Sequence, residues 1–231
     1  MKKYVSILFI CLGFYANGQF TRPINIPRFD NDKLHFGFTL GLNRMDFTIN
    51  NSGDFFTLDS VYAVENQSMM GFNLGIISDL RLNQHWTLRF LPGLIFGQRN
   101  MEYLVVKDDK LITKIMKIES TFLDFPLVFK YRAQRINDYR PYLLAGGSYK
   151  FDLAAQKEIK EEEKPKIRLK RSDFYYEIGF GIDYYLPYFK LSTELKFSVG
   201  ILNMIKPDNT QFTGAIEKMN SKMIILSFHF E

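Results

Sequence analysis

Leu34-His35-Phe36-Gly37-Phe38-Thr39-Leu40-Gly41-Leu42-Asn43 alternates without a fault between large apolar residues and small or polar ones. Successive side chains of a β-strand point to opposite faces. Leu34, Phe36, Phe38, Leu40 and Leu42 therefore share one face, and His35, Gly37, Thr39, Gly41 and Asn43 share the other. A tilted strand of about ten residues crosses a bilayer. Strands of soluble sandwiches alternate in the same way, so the decision rests on what accompanies this stretch.

The pattern recurs at residues 70–80, 86–98, 120–131, 139–153, 174–185, 190–201 and 222–230, which predicts eight strands. An even count is what single-chain bacterial barrels use. Long polar connections follow the odd strands, at residues 50–68, 99–119, 154–171 and 202–220. Short ones follow the even strands, at 81–85, 132–138 and 186–189. Long external loops and short periplasmic turns are the asymmetry of outer-membrane barrels. Trp86, Phe129, Tyr131, Tyr139, Tyr184, Tyr188, Phe228 and Phe230 gather at the short-turn end, where amphipathic rings mark a membrane boundary. The expected fold is all-β: an eight-stranded antiparallel transmembrane β-barrel over residues 34–231, in the outer membrane, with both termini periplasmic. Pro92 and Pro126 fall inside strands three and four. A closed barrel has no edge to hide a missing N–H, so local bulges are predicted there.

Residues 1–18 read as a signal peptide. Lys2 and Lys3 form a basic n-region, residues 5–15 are mostly apolar, and Ala16 and Gly18 are small residues suited to cleavage. The mature chain would start at Gln19. Residues 19–33, with Pro23 and Pro27, are predicted to form a short periplasmic segment. Cys11 is the sole cysteine and leaves with the signal, so neither a disulfide nor a thiol ligand is expected. The full chain carries a formal net charge of +5, and removal of Lys2 and Lys3 lowers it by two. That is too mild to imply nucleic acid. The mature segments contain no run of about 18 apolar residues, so a membrane location requires a closed barrel.

Eight strands enclose a space that side chains can fill. Alternation aims Asp79, Arg89, Asp124, Lys130, Arg140, Glu177, Asp183, Glu194 and Lys196 into it. An unpaired buried charge costs several kcal/mol, so these residues are expected to pair across the lumen as a structural plug. The alternative, an ion or proton pathway, needs a continuous wet route. His35, His85 and His229 all fall at the predicted periplasmic end, which leaves the outer rim without the base that a lipid-modifying enzyme needs. The chain shows no nucleophile elbow, phosphate loop or metal-ligand cluster. The expectation is therefore no enzyme, no catalytic residue, no metal, no cofactor and no small-molecule substrate.

Two loops carry more than a solvated connection requires. Tyr103, Val105, Ile112 and Ile115 flank Lys107-Asp108-Asp109-Lys110, which suggests a hairpin turning at Asp108-Asp109 and extending strands three and four beyond the membrane. Glu161, Glu162 and Glu163 precede a basic run that includes Arg168, Lys170 and Arg171. Either loop is a solvated surface or a docking surface for other outer-membrane proteins.

Three stretches resemble a known family: Leu91-Pro92-Gly93-Leu94, the run from Thr121 through Asp124-Phe125-Pro126 to Tyr131, and Pro141-Tyr142-Leu143-Leu144-Ala145-Gly146-Gly147. They are similar to PorT-type outer-membrane barrels of the Bacteroidetes. Tyr176-Glu177-Ile178-Gly179-Phe180-Gly181-Ile182-Asp183-Tyr184-Tyr185-Leu186-Pro187-Tyr188-Phe189-Lys190 resembles the PorT/SprT branch itself. The resemblance implies an accessory or assembly role in type IX secretion, which exports proteases, adhesins and gliding-motility proteins. It implies other secretion components and outer-membrane lipid as partners, and it supplies no catalytic residues. A filled lumen cannot pass folded cargo, so the chain is not expected to be the translocation pore. The alternative is a general structural or adhesive barrel that binds through its extracellular loops. The terminal Phe228-His229-Phe230-Glu231 resembles the signal read by outer-membrane assembly machinery, with the aromatic residue penultimate.

Overall fold

The computed structural model describes residues 24–51, 61–107, 110–155, 169–206 and 216–231. The predicted signal peptide and cleavage site, Asp108-Asp109, Glu161, Glu162, Glu163 and Arg168 lie outside the described residues.

Among the described residues, nine strands follow a 3-10 turn at Phe29–Asn31: β1 (Leu34–Asn51), β2 (Val61–Arg81), β3 (Trp86–Phe90), β4 (Gly93–Lys107), β5 (Lys110–Arg132), β6 (Tyr139–Asp152), β7 (Ser172–Tyr185), β8 (Lys190–Gly200) and β9 (Ile216–Phe230). All neighbours are antiparallel. β1 pairs with both β2 and β9, so the sheet closes on itself. β3 and β4 lie in line between β2 and β5 and together make one crossing. The wall thus has the eight crossings expected from alternation.

The two faces of that wall invert the pattern of a soluble protein. Outward Phe36 and Ile76 are 65% and 64% exposed, whereas inward Lys130 and Glu177 are 0% exposed. Large exposed residues such as Phe38, Leu74, Leu127, Leu143, Ile178 and Ile224 continue the apolar surface around the barrel. In water so extensive a patch is an association hazard. Facing hydrocarbon, it is the required surface. Aromatic pairs stand at the short-turn end: Trp86 against Tyr131 at 5.0 Å between centroids, and Tyr139 against Tyr184 at 5.5 Å.

The prolines correct one expectation, because neither sits in a bulge. Phe90 pairs with Leu127 and Gly93 with Asp124, so both strands advance three residues across Leu91-Pro92 and keep register. Pro126 pairs with Ser148 in an unshifted ladder. What gives way is the continuity of the third crossing. The Leu91 N–H donates to the Pro126 carbonyl at 3.3 Å, and Pro126 has no N–H to return the bond. The register shifts lie elsewhere, at Asn50/Asn51, Val61/Ala63 and Ser68/Phe72, towards the long-loop end.

Several strands also run farther than alternation indicates. Tyr103 pairs with Lys114 and Val105 with Ile112, so β4 and β5 continue as the expected hairpin. β1, β2 and β9 are extended as well, whereas β6 and β8 stop at Asp152 and Gly200. The wall is therefore taller on the β9–β1–β2–β4–β5 side.

Candidate functional site: the barrel interior and its two mouths

The lumen is built in layers. Around its middle and towards the short turns, inward strand positions supply charges that meet across the barrel. Arg89 in β3 donates to Asp79 in β2 at 2.6 and 2.8 Å, to Glu194 in β8 at 3.1 Å and to Glu231 at 3.1 Å. Lys130 in β5 contacts both oxygens of Asp183 in β7, at 2.8 and 3.1 Å. Lys150 in β6 joins Asp124 at 2.6 Å to Glu177 at 2.9 Å. Lys196 lies 2.8 Å from the other Glu177 oxygen. The Tyr142 hydroxyl donates to Glu194 at 2.9 Å, and His229 Nε2 lies 3.2 Å from the same carboxylate. Lys130 also stands 3.6 Å from the centroid of the Tyr142 ring. Such pairs offset the cost of withdrawing charge from water only when each member keeps its partners.

Above them, towards the long loops, the filling becomes apolar. Met45, Ile95, Phe122, Tyr175, Met223 and Ile225 form one buried cluster. Phe47, Met101, Met116, Met204, Ile205, Ile216 and Met219 form the next. Arg99 is buried within this half. It donates to Ser221 at 2.8 Å and to Ser120 at 2.5 Å, and its guanidinium lies 4.0 Å from the Phe47 ring centroid. Methionine fills irregular space well, which suits a plug made from strands that end at different heights.

Eight of the nine predicted interior charges therefore meet a barrel partner. Arg140 does not join them; it turns to Asp30, ahead of the first strand, at 2.9 Å. Lys150 and Lys190 stand on the inner faces of their alternating strands, and His229 and Glu231 also turn inward, although none of the four was among the candidates. Lys190 pairs with Glu231 at 2.7 Å. Asp30 carried no periodic signal, because it lies in a turn.

The predicted loop residues are less gathered. The backbones of Tyr103, Val105 and Ile112 belong to the β4–β5 hairpin, and Ile115 is 57% exposed there. The Lys170 N–H donates to the Met204 carbonyl at 2.9 Å, and Arg171 lies 6.0 Å from the Phe151 ring centroid. All three histidines lie at the short-turn end: His35 beside Phe29, His85 against the Arg132 carbonyl, and His229 in the lumen.

A closed antiparallel wall, apolar outside and filled with paired charge inside, defines a small transmembrane β-barrel. The profile of the outer membrane protein β-barrel domain family matches residues 17–206. The chain belongs to that family, and with it to the outer membrane. No curated protein matches it in sequence. Among solved structures it is similar to Neisserial surface protein A, with 10% identity over 86% of this chain and 98% of that one at a TM-score of 0.45. It is also similar to OprG of Pseudomonas aeruginosa, with 12% identity over 84% and 92% at 0.42. Ail, the attachment invasion locus protein of Yersinia pestis, shows 11% identity over 86% and 98% at 0.37. Likeness of this degree transfers no function.

Proposed function

We propose that the chain is a non-conducting, non-enzymatic outer-membrane barrel that serves type IX secretion as an accessory or assembly component. The observation that carries the non-conducting part is the layered lumen: ion pairs across the middle and a methionine-rich apolar layer beneath the long loops. A barrel so filled works through its rims and its lipid-facing wall. The secretion pathway is supported by the resemblance of residues 176–190 to the PorT/SprT branch. In this reading the short-turn end and both termini face the periplasm, and the partners are other secretion components and the surrounding lipid. The experiment is deletion of the gene, with cargo quantified in periplasm and medium. Cargo trapped in the periplasm and released again by the intact gene supports the role. Unchanged secretion removes it. Cargo crosslinked to inward Gly179 would overturn the non-pore assignment.

A second reading is a general structural or adhesive barrel. The exposed Ile115 on the projecting β4–β5 hairpin favours it. Intact secretion with altered surface attachment in the same strain would select it.

A further inference from the structure

The short-turn mouth holds an arrangement that closure of the barrel does not require. Arg132 at the end of β5, Arg135 in the β5–β6 turn and Arg140 at the start of β6 converge on one carboxylate, that of Asp30. Arg140 Nη1 lies 2.9 Å from it, Arg132 Nη1 3.6 Å and Arg135 Nη1 3.7 Å. The Tyr185 hydroxyl donates to Oδ1 of the same carboxylate at 3.3 Å. Asp30 does not come from the wall. Among the described pairings, residues 24–31 take no part in the sheet ladder.

Two further observations bear on what this mouth could bind. Next to Asp30, the Phe29 ring stacks on His35 at 4.1 Å, meets Tyr185 edge-on at 5.9 Å and has the Lys190 ammonium 4.6 Å from its centroid. An aromatic slot and an anion site thus lie one residue apart. The anion site is also under-filled. Arg135 has Asp138 as a second carboxylate at 3.0 Å, so three guanidiniums face two carboxylates. Arg132, with its side chain 4% exposed, keeps Nε and Nη2 without a hydrogen-bond partner among the described residues. A buried guanidinium with idle donors has capacity for another acceptor. The segment itself is strained: Ile26 sits at φ 45°, an unfavourable conformation for a β-branched residue.

We propose that Arg132, Arg135 and Arg140, with the adjoining aromatic slot, form a binding site for a short peptide carrying an aromatic residue followed by a carboxylate, and that residues 24–31 are a displaceable plug occupying it in cis. Displacement frees the mouth for the partner and the plug for the solvent. This inference stands apart from the secretion role; loss of either leaves the other intact.

The test uses the mature full-length barrel in detergent micelles and a fluorescein-labelled peptide with the sequence of residues 26–32. In the Phe29→Ala/Asp30→Ala protein the plug keeps its Asn25 contacts to Asp138 and Tyr185 but loses the two side chains that fill the slot and the anion site, so fluorescence anisotropy should report binding at least about tenfold tighter than to the unmutated barrel. A peptide with asparagine in place of Asp30 should lose that affinity, as should the plug-free barrel carrying Arg140→Gln. Equal binding by the mutated and unmutated barrels, or by the two peptides, overturns the proposal. A readout on the unmutated protein guards against a folding defect: excess unlabelled peptide, made with glutamine in place of Arg28 so that trypsin does not cut it, should accelerate tryptic cleavage of the protein after Arg28, whereas the same peptide with asparagine in place of Asp30 should not. Cleavage indifferent to either peptide also overturns it.

Discussion

Arg89 and Asp79 face each other across a rung between β2 and β3, and the guanidinium meets both carboxylate oxygens as a fork, at 2.6 and 2.8 Å. The remaining reach of the same side chain extends to Glu194 and Glu231, so one cation ties two neighbouring strands to the opposite wall and to the chain end. Arg89→Met would leave three carboxylates without their shared donor. Breaking a buried pair by removing one partner costs about 3–5 kcal/mol. We expect a loss of that size in the unfolding free energy from urea titration of the barrel refolded into vesicles, seen as a lower midpoint. Arg89→Lys should lose less, because it keeps the charge but not the fork. A midpoint unmoved by Arg89→Met would show that this junction does not hold the barrel.

Glu194 separates a structural plug from a conduction path. It takes Arg89 on one side, Tyr142 on another and lies beside His229. Glu194→Ala should lower stability by about 3 kcal/mol or more, as for other broken buried pairs. It should leave single-channel conductance in a planar bilayer at the background level of the unmutated protein, because the layer around Met101, Met116 and Met219 still closes the lumen. A conductance change would identify the charges as part of a pathway.

The wall was legible because lipid and lumen impose opposite demands on alternate residues. Lys130 and Asp183 read as inward from parity alone, and they meet at 2.8 Å. Parity also reaches Lys190 and Glu231, whose pairing follows from register. Above the bilayer the β4–β5 hairpin was legible from its apolar arms and central turn, whereas the extensions of β1, β2 and β9 were not. In β1, Arg44, Asp46 and Thr48 take the outward positions after Phe36, Phe38, Leu40 and Leu42 while the ladder to β9 continues, because hydrogen bonds between strands do not depend on which solvent the side chains face. Asp30 was hidden for another reason. Its partner Arg140 is 110 residues away, and a single turn has no period to read.

Close strand approach leads to a contrast between two glycines. A Cβ at Gly71 would overlap the Phe96 carbonyl oxygen and lie 2.7 Å from Asn43 Oδ1. A Cβ at Gly147 would meet only the Tyr175 carbonyl, at 3.5 Å. Gly71→Ala must move backbone, and overpacking of this kind costs about 1–3 kcal/mol. Gly147→Ala should stay within about 0.5 kcal/mol of the parent. Folding yield, read from the mobility difference between heated and unheated samples on a denaturing gel, should fall for the first and not for the second. Equal yields would show that β2 shifts freely at Gly71.

The break in the third crossing can be tested by restoring the missing donor. Pro126 accepts from the Leu91 N–H but offers none in return, and this is where β3 and β4 part. Pro126→Val supplies the amide and keeps a compact side chain with good strand preference. One recovered backbone hydrogen bond contributes about 0.5–1.5 kcal/mol, so the urea midpoint should rise accordingly. Amide exchange at position 126 should be slow, and that at Leu91 slower than in the parent. The proline ring lies on the inward face, against a lumen already filled. If the midpoint falls while exchange at position 126 is slow, the bond has formed and ring packing outweighs it. If exchange is fast, the gap is held open by Leu91-Pro92 instead, and Pro92→Val should then be the substitution that joins the two strands.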